Sequence, residues 1–384
     1  MEWISDTDSL AAACADLSQA DFIAVDTEFM RETTFWPKLC LIQAAGGDRE
    51  MLIDPLSEDL DLQPFWDLMR DEGVLKVFHA CRQDIEIFYH QGGALIPSPM
   101  FDTQVAAMAV GLGDSISYDN LVRALLGKAV DKGSRFTDWS RRPLSDKQAA
   151  YALADVTLLR DLFPLLKARL QEVGRESWLA EEMKTITDPA TYRMDPEDAW
   201  KRLKLRKTTP KWLAALKAAA EWREREAQTR DIPRNRIIKD DGLYEIAHAA
   251  PTSTAELAQL RAVPKGFERS KPAERLIEAL SAALADPKAH APRIDAPKPA
   301  PPNAGPVLEM LKVFLKVVAE QEGVAARLIA TVPDLEQLAA DDQADIPALK
   351  GWRRQVFGAE AIRLKRGELA LVLENGRVEA VELE

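Results

Sequence analysis

Asp26 and Glu28 stand two positions apart in IAVDTEF, residues 23 to 29, an otherwise apolar run with the composition of a buried β-strand. Strand side chains alternate faces, so the two carboxylates point the same way, next to each other. Two negative charges side by side in a low-dielectric setting repel, and at least one takes up a proton unless something positive accompanies them. Further candidates follow. In YALAD, Tyr151 and Asp155 are i and i+4 of a helix and share a face, about 5–6 Å apart. Asp155 is bracketed by Leu153, Val156, Leu158 and Leu159, beside that helix's apolar stripe. KVFHACRQDIEIF places Asp84 on a helix that directly follows a strand.

The elements that must position these groups are legible in outline. Residues 1 to 198 alternate short apolar runs (22 to 29, 39 to 45, 50 to 56 and 75 to 80) with helical stretches, which predicts an α/β domain. AAGGDRE reads as a hairpin turn, and CRQDIEIFYHQGG as a helix ending at Gly92. Ser145 and Gln148 have capping-box spacing at the start of the helix that carries Tyr151 and Asp155. Residues 199 to 285 lose the strand signal; Thr209 and Pro210 open a helix, and shorter capped helices follow. Residues 286 to 306 hold seven prolines and read as an extended linker. Residues 307 to 384 return to amphipathic helices and close on a hairpin around Asn375 and Gly376.

Composition narrows the class. The net charge is −12, but residues 1 to 198 hold 19 Lys/Arg against 35 Asp/Glu, residues 199 to 299 hold 21 against 13, and residues 300 to 384 hold 10 against 14. An acidic block joined to a basic one suits an enzyme that binds cations in one part and a polyanion in another. The three cysteines, Cys14, Cys40 and Cys81, form no CxxC pair, so neither a disulfide framework nor a zinc site is expected. No apolar run reaches the ~18 residues of a membrane span, and the first residues are acidic, so a cytoplasmic enzyme is the expectation. Gly127 and Lys128 lack the rest of a phosphate loop, which argues against an NTP-driven motor.

VDTEF, HACRQDIE and YALAD together resemble the three motifs of the DEDD superfamily of 3′→5′ exonucleases, in its tyrosine branch; Ala150 stands where the sister branch carries a histidine. DKGSRFTDWSRRPLSDKQAAYALADV and the helices after it resemble the ribonuclease D family. The resemblance implies an RNase H-like α/β domain, a mixed sheet flanked by helices, followed by two helicase-and-RNase-D C-terminal (HRDC) domains, the second diverged and net acidic. It implies that Asp26, Glu28, Asp84 and Asp155 converge on two divalent ions, Mg²⁺ or Mn²⁺, which would supply the missing positive charge. Hard cations prefer carboxylate oxygens, and two of them can clamp an in-line displacement at phosphorus. Asp26 is the expected bridging ligand, Glu28 and Asp155 complete the site that activates water, and Asp84 supports the second ion. A phenol titrates near 10, so Tyr151 is expected to orient the water rather than act as base.

The remaining assignments concern substrate. Phe29 could stack on a base or pack in the core, and His79 could touch the terminal nucleotide or simply pack. Lys132 and Arg135, just before the catalytic helix, could hold phosphates. Lys201, Arg202, Lys204, Arg206 and Lys207, with Lys211 and Lys217, form a basic run with no acidic residue inside it. If six of these contribute, log affinity should fall on log salt with a slope of roughly −4 to −5. Asp102 reads as a helix N-cap, Asp54 as a turn residue, Glu86 as solvated, and Arg142 as paired internally, for example with Asp138. The expected activity is trimming of 3′ ends of tRNA precursors and other structured RNA by a monomer, with release of nucleoside 5′-monophosphates. Two rivals share the residues: a DNA-directed repair or proofreading exonuclease, and a non-catalytic RNA-binding protein on a nuclease fold. Nothing in the carboxylates distinguishes RNA from DNA.

Overall fold

A computed structural model describes residues 2–131, 133, 137–294 and 301–383. Lys132 and Arg135 lie outside the described residues. The N-terminal domain is built on a six-stranded mixed sheet in the order β1-β4-β3-β2-β5-β6. Its strands are β1 (Glu2–Ile4), β2 (Phe22–Met30), β3 (Lys38–Gly46), β4 (Arg49–Ile53), β5 (Leu75–Phe78) and β6 (Met100–Asp102). β2 is central, antiparallel to β3 and parallel to β5. The β3–β4 hairpin turns at the expected position, with Gly47 at φ +54°, a left-handed conformation that favours glycine. β1 and β6 escape a sequence reading because three residues are too few to show alternation.

Alternation along β2 sorts its side chains between two cores. Ile23 and Val25 face α1 (Thr7–Leu17), α2 (Gln63–Arg70) and α3 (Arg82–Gln91). Ala24 faces α4 (Thr103–Ala109), α5 (Tyr118–Leu126), α6 (Asp146–Glu172) and α7 (Glu176–Ile186). The Ser145 capping box is formed, fixing the start of α6. Gly92 caps α3 and Asp102 caps α4, accepting from the amides of Gln104 and Val105.

The basic region folds as α8 (Pro210–Arg230), α9 (Arg234–Ile237), α10 (Asp240–Ala249), α11 (Thr254–Leu257) and α12 (Lys271–Ala285) around its own core. Phe35 of the N-terminal domain enters that core. The amides of Phe35 and Trp36 donate to Asp231 Oδ1 at 3.0 and 2.9 Å, and the Arg234 guanidinium lies 4.4 Å from the Phe35 ring centre. The proline-rich stretch is not extended throughout: α13 (Pro287–His290) is one helical turn, and α14 (Ala304–Glu322) begins before residue 306. Residues 295–300 lie outside the described residues.

The C-terminal region continues with α15 (Ala326–Ile329), α16 (Val332–Ala340), α17 (Gly351–Arg353), a π-turn and α18 (Ala359–Lys365), then the hairpin β7 (Leu369–Glu374) and β8 (Arg377–Glu382). Its helices share one hydrophobic core with the α6 side of the sheet. Trp178 of α7 stacks on Trp352 at 4.0 Å, with Arg175 over the first ring and Arg353 over the second. Arg353 also pairs with Glu181 and Glu182. The acidic C-terminal region therefore packs on the N-terminal domain.

Candidate active site

Asp26 and Glu28 lie on the α6 face of β2, and Tyr151 and Asp155 project from α6 toward them. One cavity of about 590 Å³ is lined by Asp26, Glu28, Asp84, Tyr151 and Asp155, with Phe29 and His79 also in its wall. Carboxylate oxygens of Asp26, Glu28 and Asp155 all lie within 4.8 Å of one another. Asp84 stands outside that trio, on the first turn of α3. Thr27, on the opposite face of β2 from Asp26 and Glu28, donates its hydroxyl to Asp84 Oδ1. The central strand thus contributes to the cavity from both faces, two carboxylates on one and the orienting hydroxyl for a third on the other.

Burial pushes the Asp26 carboxyl up to about 7. Asp84 is raised well above the usual carboxylate range by burial and then by the Asp26 charge. Burial thus disfavours the charged form of both groups, and hard oxygen donors at this spacing fit divalent cations, which would favour it. The Tyr151 phenol is raised by burial and by Asp155, Glu28 and Asp26, and hydrogen-bonds Asp155. The phenol therefore stays neutral and keeps a proton to donate.

His79 packs and also faces the cavity. Its Nδ1 lies 3.0 Å from Thr103 Oγ1 and its ring is 5.5 Å from that of Tyr118, while the residue also lines the cavity. Burial lowers its pKa. Phe29 likewise packs against the core below the sheet and lines the cavity.

Several secondary assignments change. Glu86 is not solvated: it pairs with Arg31 at 3.0 Å with its side chain 14% exposed. Arg142 is paired internally, but with Asp54 at 2.7 Å and the Cys40 carbonyl; Asp138 is taken by Ser140 and Arg141. Asp54 is the expected turn residue, accepting from the Leu56 amide, and also Arg142's partner. The basic run is less free than its sequence suggests, because acids from outside it fold back. Lys201 pairs with Asp198, Arg202 with the buried Glu224, and Arg206 with Asp241, while Lys207 Nζ contacts His248 Nδ1 at 2.9 Å. Lys204, Lys211 and Lys217 have no ion pair among the described residues.

Sequence reasoning missed Thr27 and Tyr118. Thr27 carries a weak signal, being the middle residue between the two strand carboxylates. Tyr118 carries none, since GDSISYDN has no periodicity.

A family model described as 3′-5′ exonuclease matches residues 1–171, and one described as HRDC domain matches residues 213–280. Ribonuclease D of Nitrobacter hamburgensis is 52% identical over 382 residues, covering 100% of both chains. Ribonuclease D of Bartonella henselae is 47% identical over 384 residues, covering 100% of this chain and 94% of its own. The crystal structure of Escherichia coli RNase D, an exoribonuclease involved in structured RNA processing, matches with a TM-score of 0.82 at 29% identity, over 95% of this chain and 98% of that one. Similarity of this strength over the full length decides between the readings that the carboxylates left open: the chain belongs to the ribonuclease D family of 3′→5′ exoribonucleases.

Proposed function

We propose that this exoribonuclease is divalent-cation-dependent and trims the 3′ ends of tRNA precursors and other structured RNA, releasing nucleoside 5′-monophosphates. The observation that carries the chemistry is the meeting of Asp26, Glu28 and Asp155 oxygens within 4.8 Å, with Asp84 beside them. Two cations held there would lower the pKa of the attacking water and offset charge at the scissile phosphate. Asp26 is proposed to bridge them, Glu28 and Asp155 to complete the site nearer the water, and Asp84 to support the second. Tyr151 then donates to or orients the water, and its raised pKa suits a donor. Phe29 and His79, which line the cavity, are proposed to meet the terminal nucleotide. The substrate class rests on the family and on the basic helical domain docked beside the loop that follows β2.

We read the C-terminal region as a second, diverged HRDC-like unit. α9 begins at 234 and α15 at 326, α10 at 240 and α16 at 332, a constant displacement of 92. α12 begins at 271 and α17 at 351, so the later unit is 12 residues shorter, where α11 stands in the earlier one. Among the described residues no helix is long and apolar enough to cross a membrane. A monomer acting in the cytoplasm is the working picture.

The test uses a 3′-extended tRNA labelled at its 5′ end, with Mg²⁺, Mn²⁺ or EDTA, for the wild type and Asp26→Asn. A metal-dependent ladder receding one nucleotide at a time, absent in the variant, is expected. Equal shortening in EDTA, or by Asp26→Asn, would sink the two-cation reading.

A further inference from the structure

One wall of the active-site cavity comes from residues 110–119, the connection between α4 and α5 and the first turn of α5. Ser115, Ser117, Tyr118 and Asp119 line the cavity. The Tyr118 hydroxyl donates to the backbone carbonyl of Asp155 at 2.6 Å and lies 3.2 Å from that of Ala154. A helical carbonyl already receives an amide from the next turn, so the phenol adds a second donor at the peptide of Asp155 itself. It ties the height of that carboxylate on α6 to the position of α5.

The other end of the same connection is held by the C-terminal region. The Ala325 amide donates to the Met108 carbonyl at 2.9 Å, and the Arg327 amide to Asp114 Oδ1 at 3.0 Å. Arg175, buried, bridges the two segments by donating to the carbonyls of Ala109 at 2.8 Å and Gly323 at 3.0 Å. Gly111 sits at φ +74°, and a Cβ built there would lie 2.6 Å from the Gly323 carbonyl oxygen, so the two backbones are in direct contact.

We propose that the C-terminal helical region is a positioning device for catalysis: by gripping residues 108–114 it sets where Tyr118, a positioning residue, holds Asp155. The inference rests on the reading that Asp155 is a cation ligand. It gives residues 300 to 384 a task that needs no contact with RNA, consistent with their 14 Asp/Glu against 10 Lys/Arg.

The test is a double-mutant cycle in the full-length protein with Asp114→Ala and Tyr118→Phe, using a short unstructured RNA. Each single variant should lower kcat about three- to tenfold with KM within about twofold, and the double should be no worse than the poorer single. Calorimetric titration with Mn²⁺ should show weakened binding in both singles at an unchanged melting temperature. Gly111→Ala, which forces the two backbones apart, should act like Asp114→Ala. The proposal falls if the two losses multiply, if KM rises while kcat holds, or if Asp114→Ala and Gly111→Ala both leave kcat unchanged. Failure of the cation reading itself would look different: Asp155→Asn would keep wild-type Mn²⁺ binding, whatever the outcome of the cycle.

Discussion

Asp26 and Glu28 are adjacent because a strand repeats every two residues, and Thr27 faces away from them for the same reason. That places one hydroxyl where it can hold Asp84 while its neighbours face α6. Replacing Thr27 by Val should weaken both activity and Mn²⁺ binding by about tenfold or more, whereas Ser should preserve them, since a displaced supporting hydrogen bond costs 10–100-fold at metal sites. Wild-type Mn²⁺ affinity in the Val variant would remove Thr27 from the site. Tyr151→Phe should lower kcat by on the order of 10²-fold while leaving cation binding intact, because one aimed donor is lost and no ligand. Single-turnover rates beside a binding titration would separate the two. Lys76 tests burial away from the site. It is fully buried, donates to the Asp71 and Ser98 carbonyls, and is pulled down to about 8 by burial. Below that pH both folded and unfolded chains carry the charge, and the fold bears the full penalty of burying it. Between about 8 and 10.4 the unfolded chain holds the extra proton, so stability rises with pH. Relative to Lys76→Met, the wild type should gain about 2–3 kcal/mol of unfolding free energy from pH 7 to pH 10, and a flat difference would contradict the shift. At this scale the carboxylates were readable because their types and spacing repeat a pattern. Thr27 and the Arg142–Asp54 pair were not, since each depends on which distant element arrives opposite.

α6 carries two of the groups that meet at β2, so the fixing of its first turn matters to the site. The Ser145 side chain accepts from the Gln148 amide and Gln148 reaches back to the Ser145 amide. Ser145→Ala should cost about 1 kcal/mol, roughly 2–4 °C in melting temperature, and Asp in its place should recover most of it. Thermal melts of the three proteins would decide, and equal melting points would mean the helix is held by packing alone. The capping box, the β3–β4 turn and the closing hairpin were legible because each is a local signature of a few residues. β1 and β6 were not, because they are strands only by virtue of the neighbours they pair with. The proline-rich stretch misled at its edges for a related reason: prolines at the first turn of α13 and α14 start helices as readily as they forbid them.

Across the molecule, charge is redistributed by folding. Three members of the basic run pair with acids from outside it, and Lys207 meets only the His248 imidazole, which leaves its charge in place; Lys204, Lys211 and Lys217 have neither kind of partner among the described residues. Changing these three to Gln should flatten the salt dependence of RNA binding by about 2 units of slope, while changing Lys201, Arg202 and Arg206 should alter it less. Titrations between 50 and 200 mM salt would show this; an unchanged slope in the Lys variant would place the RNA elsewhere. The domain order could be read from composition, but which domain packs on which could not, because a shared core joins residues far apart in sequence.

That shared core has a consequence in time. The grip on residues 108–114 comes from residues 322–327, made long after Asp155 leaves the ribosome's active centre. At ordinary translation rates the interval is roughly 10–30 s. Throughout it, a nascent chain owns all four acidic candidates and the wall formed by residues 110–119, but not the segment proposed to hold that wall in place. If the proposed grip holds, an enzyme that degrades RNA is made amid transfer and messenger RNA and reaches its full rate only once its own synthesis is nearly over.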